Sequence, residues 1–121
     1  MNNILDIYDK IKDQLSVTGL TVYKEVKPSS ETANCIVLSS VPIKKNNVNS
    51  IDDLIIFVYL QKIQGYFDFN TAKVLLPQIE NLVQYFCLNT LSCPTEKNNP
   101  DTINYNDIYT VSRLTYRIIN F

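Results

Sequence analysis

Few residues of this chain are equipped for chemistry, and those few are scattered. Histidine is absent, which removes the usual general base near neutral pH and the commonest nitrogen ligand for a metal. Cys35, Cys87 and Cys93 would be nucleophiles only with a base to draw off the thiol proton, and no imidazole can do so. Three thiols without histidine also fall short of a four-ligand zinc site. Their odd number does not suit a disulfide framework, so buried or incidental thiols in a reducing compartment are expected. Ser29 and Ser30 stand beside Glu31 in "KPSSETAN", where small polar residues serve turn geometry. Asp52 and Asp53 are adjacent acids, and Asp101 and Asp107 lie in a later polar stretch. A magnesium site gathers several oxygen ligands, often with substrate phosphates, and neither pair supplies that. Two glycines leave no phosphate-cradling loop. The expectation is a protein with no catalytic residues, no cofactor and no metal.

Two other groups of side chains point toward contact with another protein. Arg113 and Arg117 are the only arginines. Four residues apart, they face the same side of a strand, either as solvated edge charges or as an ion-pairing face toward a partner's acids. The aromatics Tyr59, Tyr66, Phe67, Phe69, Tyr105, Tyr109, Tyr116 and Phe121 are many for a small two-layer core. Core filling accounts for most of them, and aromatic enrichment is also typical of interfaces.

The elements that must hold these groups follow from periodicity. The chain has 121 residues, which favours a single domain, residues 1–121, with one real core. A net charge of −1 gives no reason to expect nucleic acid, which needs many cationic contacts to phosphate. No run of about 18 apolar residues suggests a membrane span. The start, "MNNILDIYDKIKDQL", mixes acids and bases and lacks a signal-peptide core. The excess of Asn, Ile, Lys and Tyr reads as the codon bias of an AT-rich genome.

Ile4, Tyr8, Ile11 and Leu15 form one apolar stripe of a helix over residues 3–16, with Gly19 suited to the left-handed residue beyond its end. "LTVYKEV" (20–26) and "CIVLSSVPI" (35–43) read as strands, the second ending or reaching a sheet edge at Pro42. "KKNNVNS" (44–50) reads as a long hairpin loop. "DLIIFVYLQKI" (53–63) is the strongest strand, apolar on both faces. Helices are expected over one face and something else, such as a neighbouring subunit, over the other. Gly65 breaks it, and Asp68 or Asn70 can cap a helix over residues 71–90. That helix carries Leu75, Ile79, Leu82, Val83 and Phe86, with Pro77 kinking it or opening a second one. Residues 91–106 read as a breaker-rich loop, and "DIYTVSRLTYRIINF" as a terminal strand. The predicted fold is α+β, in the order α-β-β-β-α-β, a mostly antiparallel sheet with two helices on one face.

This succession, from the helix "ILDIYDKIKDQL" through "TVYKEV", "CIVLSSVPI" and "DLIIFVYLQKI" to "DIYTVSRLTYRIINF", resembles the small tail-terminator and tail-completion proteins of tailed bacteriophages. That group is related to head–tail connector ring subunits. It departs from their pattern at Pro77 and in the polar stretch 91–106. The resemblance implies a non-enzymatic virion protein, assembled in the bacterial cytoplasm into a ring at the head–tail junction. Its implied partners are copies of itself and neighbouring connector, portal or tail proteins. Lys44, Lys45, Asn46 and Asn47 would then reach an adjacent subunit or the tube lumen. Tyr66, Phe67 and Phe69, or the terminal strand with Arg113, Arg117 and Phe121, would make a lateral contact. A small intracellular adaptor that binds one partner through its sheet edge is the alternative, and an enzyme subunit contributing no catalytic residues of its own is a second.

Overall fold

A computed structural model of the protein describes residues 4–45, 50–85, 95–97 and 101–120. The elements run α1 (Ile4–Leu15), β1 (Thr21–Lys24), β2 (Cys35–Lys45), β3 (Ser50–Gln61), α2 (Phe69–Tyr85), β4 (Thr95–Lys97), β5 (Asp101–Asn104) and β6 (Tyr109–Asn120). The fold is α+β, as expected, with one mixed and mostly antiparallel sheet. Its order is β1-β2-β3-β6-β4, and β5 also pairs with β6. β4 faces Tyr116 to Ile118 and β5 faces Thr110 to Arg113. The two lie end to end along the same side of β6, so six strands fill five positions.

The core lies between one face of the sheet and the two helices. From α1 come Tyr8, Ile11 and Leu15, three of the four residues of the predicted stripe. A short 3-10 turn, Ser16–Thr18, follows, and Gly19 at φ +82° donates its N–H to the Ser16 carbonyl. That left-handed conformation is one a residue with a Cβ adopts only at a cost. α2 contributes Ala72, Leu75, Ile79 and Val83. Asp68 is its cap: one carboxylate oxygen accepts the Thr71 N–H at 3.2 Å and the other the Thr71 hydroxyl at 2.5 Å. Pro77 sits inside this single helix on its exposed side, where it neither ends the element nor starts another. Residues 86–90 of the expected helix, Phe86 among them, lie outside the described residues.

β3 is the middle of the sheet, paired along its length with β2 on one side and β6 on the other. Leu54, Ile56, Val58 and Leu60 point at the helices and are fully buried. Each such side chain stabilises the fold by roughly 1.5–3 kcal/mol through its burial. Beyond Gln61 the chain turns tightly at Ile63–Tyr66, which exchange backbone hydrogen bonds across Gln64 (φ +53°) and Gly65 (φ +81°). Positive φ at both central residues matches the twist of a two-residue hairpin turn.

Three expectations need correction. The expected loop 44–50 loses its ends to strands: β2 runs on to Lys45, with a register shift between Pro42 and Lys44, and β3 begins at Ser50. β1 pairs with β2 only as far as Leu38, so among the described residues Pro42 lies on an unpaired edge, one of the two outcomes expected of it, where a missing N–H does no harm. The predicted loop 91–106 contains β4 and β5. Every residue of β5 is exposed, so no apolar alternation marks it, and its pairing comes from the open side of β6. Arg113 and Arg117 are not at an edge, because β6 has neighbours on both sides.

Two substitutions test this arrangement by urea unfolding. Ile56→Ala is expected to lower stability by about 2–5 kcal/mol, the loss of a fully buried branched side chain. Pro77→Ala is expected to raise it by up to about 3 kcal/mol, by restoring an N–H donor in an exposed helix interior. A loss of stability in the second variant would contradict the helix assignment.

Candidate functional site

The second face of the sheet has no helix over it among the described residues. Strand register lays it out in rows. One row runs Ile103, Val111, Tyr59, Cys35, Thr21. The next runs Asp101, Arg113, Phe57, Val37, Tyr23. Then come Thr115, Ile55 and Ser39, and finally Arg117 opposite Asp53.

One end of this face is covered by the chain itself. β1 and β2 are parallel, so the connection between them must travel back the length of a strand, across a face. Residues 25–34 do this as a strap, held by side chains. The Tyr109 hydroxyl is shared between the carbonyls of Glu31 at 3.0 Å and Ala33 at 2.9 Å. Tyr23 donates to the Glu31 carboxylate, and the Gln61 side-chain amide to the Thr32 carbonyl. The Asn34 side-chain oxygen accepts the Gln61 N–H at 2.7 Å. The Lys27 ammonium lies 5.1 Å from the Tyr109 ring centre and 5.9 Å from that of Tyr59, a cation–π arrangement. Tyr59 meets Tyr105 and Tyr109 edge-to-face. Cys35, Val37 and Tyr109 are buried in this region. The Cys35 thiol is pushed up to about 11 by burial and by the Glu31 carboxylate. It is therefore protonated and inert as a nucleophile at neutral pH.

The other end of the face has no element over it among the described residues. A groove of about 330 Å³ is lined by Phe57, Val111, Ile103, Asp101, Thr102 and Arg113. Phe57 and Ile55 are half-buried, while Ile103 is 59% exposed. Two ion pairs border this strip: Arg113 to Asp101 at 2.7 Å and Arg117 to Asp53 at 3.1 Å. Both arginines thus share one face, as their spacing predicts, but their acids come from the same chain. Exposed pairs of this kind contribute about 0–1 kcal/mol each. Their effect here is to leave the strip balanced in charge.

The remaining predicted contact residues are not gathered there. Tyr66, in the turn after β3, is 78% exposed, and Phe69 at the start of α2 is also exposed. Phe67 packs against the helix-side core and meets Phe69 edge-on, with ring centres 6.4 Å apart. The Lys62 N–H donates to the Ile108 carbonyl, which brings exposed Ile63 and Ile108 to the same end of the sheet. Lys44 and Lys45 belong to β2, opposite Ile51 and Ser50, at the far end of the hairpin. Asn46, Asn47 and Phe121 lie outside the described residues, as do Cys87 and Cys93.

The sequence reading missed Ile103, whose one signal is a lone isoleucine in a polar stretch. It also missed the strap, because nothing local says that β1 and β2 run parallel. Among the described residues no three Cys, Asp or Glu side chains converge as metal ligands. No described helix is long and apolar enough to cross a membrane. A second, shallower hollow of about 450 Å³ beside the first turn of α2 is lined by Thr18, Asn34, Asn70, Thr71, Val74 and Gln78, among others, with no titratable group. The bare strip likewise offers shape and apolar area rather than a reacting atom. No family model matches the chain, and no curated protein is found to be similar to it.

The hydroxyls of the strap and of α1 set an alkaline limit to stability. Burial raises Tyr8, Tyr59 and Tyr109 above the ordinary tyrosine value, with the Glu25 carboxylate adding to the effect at Tyr8. The hydrogen bond to Glu31 raises Tyr23 to about 12. Folding therefore holds these groups protonated. Their contribution is complete below about pH 10 and is lost as the pH climbs through the raised values. Glu31 runs the other way: the Tyr23 hydroxyl and the Ala33 N–H lower it, so its contribution fades as the pH falls through its lowered value. Urea midpoints are expected to fall above about pH 10, and Tyr8→Phe to flatten that fall. An unchanged slope in the variant would contradict this assignment.

Proposed function

We infer that this chain is a non-enzymatic structural subunit. It multiplies around an axis to form a ring at the head–tail junction of a tailed bacteriophage, where the ring terminates or joins the tail. Its partners are copies of itself and the neighbouring connector, portal or tail proteins, and its place is the virion. The observation that supports this reading is the apolar strip of half-buried Ile55 and Phe57 and exposed Ile103, with no helix over it among the described residues, on a sheet whose opposite face is packed against helices. Isolated exposed apolar side chains are ordinary, but a grooved apolar strip framed by balanced charge fits a protein surface. A second exposed apolar surface, with Ile63 and Tyr66 paired across the turn and Ile108 brought beside them by the Lys62–Ile108 hydrogen bond, lies at one end of the sheet. Two unlike surfaces on one subunit are what a head-to-tail contact requires, and such contacts close into a ring when the rotation permits. The order of elements from α1 to β6 is the basis of the resemblance to the phage proteins.

The adaptor reading has one observation of its own. Tyr105 donates its N–H to the Tyr109 carbonyl, so alternation along β5 turns the backbone groups of Thr102 and Asn104 outward. Among the described residues no strand pairs with that edge, which suits a partner strand, but it is short, and short edges are how proteins discourage such pairing.

Sedimentation velocity of the purified protein, alone and with virion components, separates the two. A closed oligomer that is lost in Phe57→Asp/Ile103→Asp while the far-ultraviolet circular dichroism is kept is the expected result. A monomer that never associates with a connector or tail protein would overturn the reading.

A further inference from the structure

The strap is built unlike the surface beneath it. Among residues 25–34 none is buried, and Val26, its one branched aliphatic residue, is 73% exposed. The segment is not a strand of the sheet. Past Val26 it is anchored to the sheet by side chains: the Tyr109, Tyr23 and Gln61 bonds and the Lys27 ammonium. What it covers is apolar and sealed. Cys35 is 0% exposed, and Val37 and Tyr109 are buried beside it. At its start Glu25 holds φ +70°, a conformation that a residue with a Cβ adopts only where its surroundings compel it. Those surroundings are visible: the Glu25 carboxylate accepts from Tyr8 at 2.8 Å and from Ser39 at 3.1 Å, and its N–H donates to the Leu38 carbonyl. The strap thus has a strained residue at one end, a polar underside and little apolar area of its own. Segments of this kind open at a small fraction of the free energy of global unfolding.

We propose that residues 25–34 form a releasable cover that swings off the sheet while the sheet and helices stay folded, uncovering Cys35, Val37, Tyr59 and Tyr109. Cys35 and Tyr59 share the row of Ile103, Val37 shares that of Phe57, and Tyr109 stands one row further along β6, opposite Gln61, so release extends the apolar strip across the sheet. The device sets how much of the face a second copy can meet. Its purpose rests on the assembly reading, but its occurrence does not, because opening is a property of the single chain.

Cys35 reports the opening directly. In a variant carrying Cys87→Ser and Cys93→Ser it is the sole thiol, and its modification by a soluble thiol reagent at pH 8 is followed in dilute monomer across low urea. The expected result is labelling much faster than global unfolding allows and nearly independent of urea, since little surface is exposed. Tyr109→Phe and Lys27→Met are each expected to speed labelling roughly three- to tenfold, the loss of one or two strap bonds, while the unfolding midpoint moves far less. Lys27→Met keeps the test sharp should Tyr109→Phe disturb folding, because Lys27 is outside the core. Labelling that follows global unfolding at every urea concentration would overturn the proposal. So would variants that speed labelling only as much as they lower stability. A chain that fails to assemble leaves this readout unaffected, and a failed readout leaves assembly on the bare strip untouched.

Discussion

The constraint on which the rest depends is that β3 is apolar on both faces. Leu54, Ile56, Val58 and Leu60 alternate with Ile55, Phe57 and Tyr59, so no rotation of the strand hides one set without presenting the other. Interior position solves half of this: with β2 and β6 on either side, the backbone is fully paired and the strand is held straight. Two helices then seal the first face. Among the described residues no third helix covers the second face, and one end of it is closed by a strap that is mostly polar. What remains among the described residues is a partly exposed apolar strip, at a free-energy cost of about 25 cal/mol for each Å² that a partner could remove from water.

The charges on this face follow from the same placement. Arg113 and Arg117 project from a central strand, where an unpaired cation beside Phe57 would repel like surfaces. Asp101 and Asp53 stand directly opposite them in register and neutralise each. With both arginines paired, the strip carries balanced charge. At the covered end, tyrosine hydroxyls take over the polar work. They sit at the rim of an apolar patch and reach the strap carbonyls, so the same side chains fill space and tie the crossover down.

Much of this was legible in the residues, and the boundary is physical. Tyr8, Ile11 and Leu15 of the α1 stripe, Asp68 as one of two candidate caps, Gly19 and the two-faced β3 announce themselves through local periodicity or backbone preference, and lie where expected. β5 does not, because an exposed edge strand of Asp101, Thr102, Ile103 and Asn104 gains its conformation from the open side of β6 rather than from its own residues. Pro42 signals either a strand end or an edge, and it is the short length of β1, which pairs only as far as Leu38, that makes it an edge among the described residues. The parallel pairing of β1 and β2, and hence the strap, depends on which strands meet, and contact over long sequence separation leaves no local mark. Arg113 and Arg117 were placed on a shared face by their spacing, but their partners Asp101 and Asp53 are 12 and 64 residues away.

Hydroxyl-radical footprinting as a function of protein concentration measures the central claim most directly, since it reads the solvent exposure of individual side chains. If the helix-free face exists to be covered by another copy, Phe57 and Ile103 lose reactivity as concentration rises, while exposed Val74 on α2 keeps its own. Phe57 and Ile103 that stay equally reactive in the assembled and the dilute protein would contradict the account.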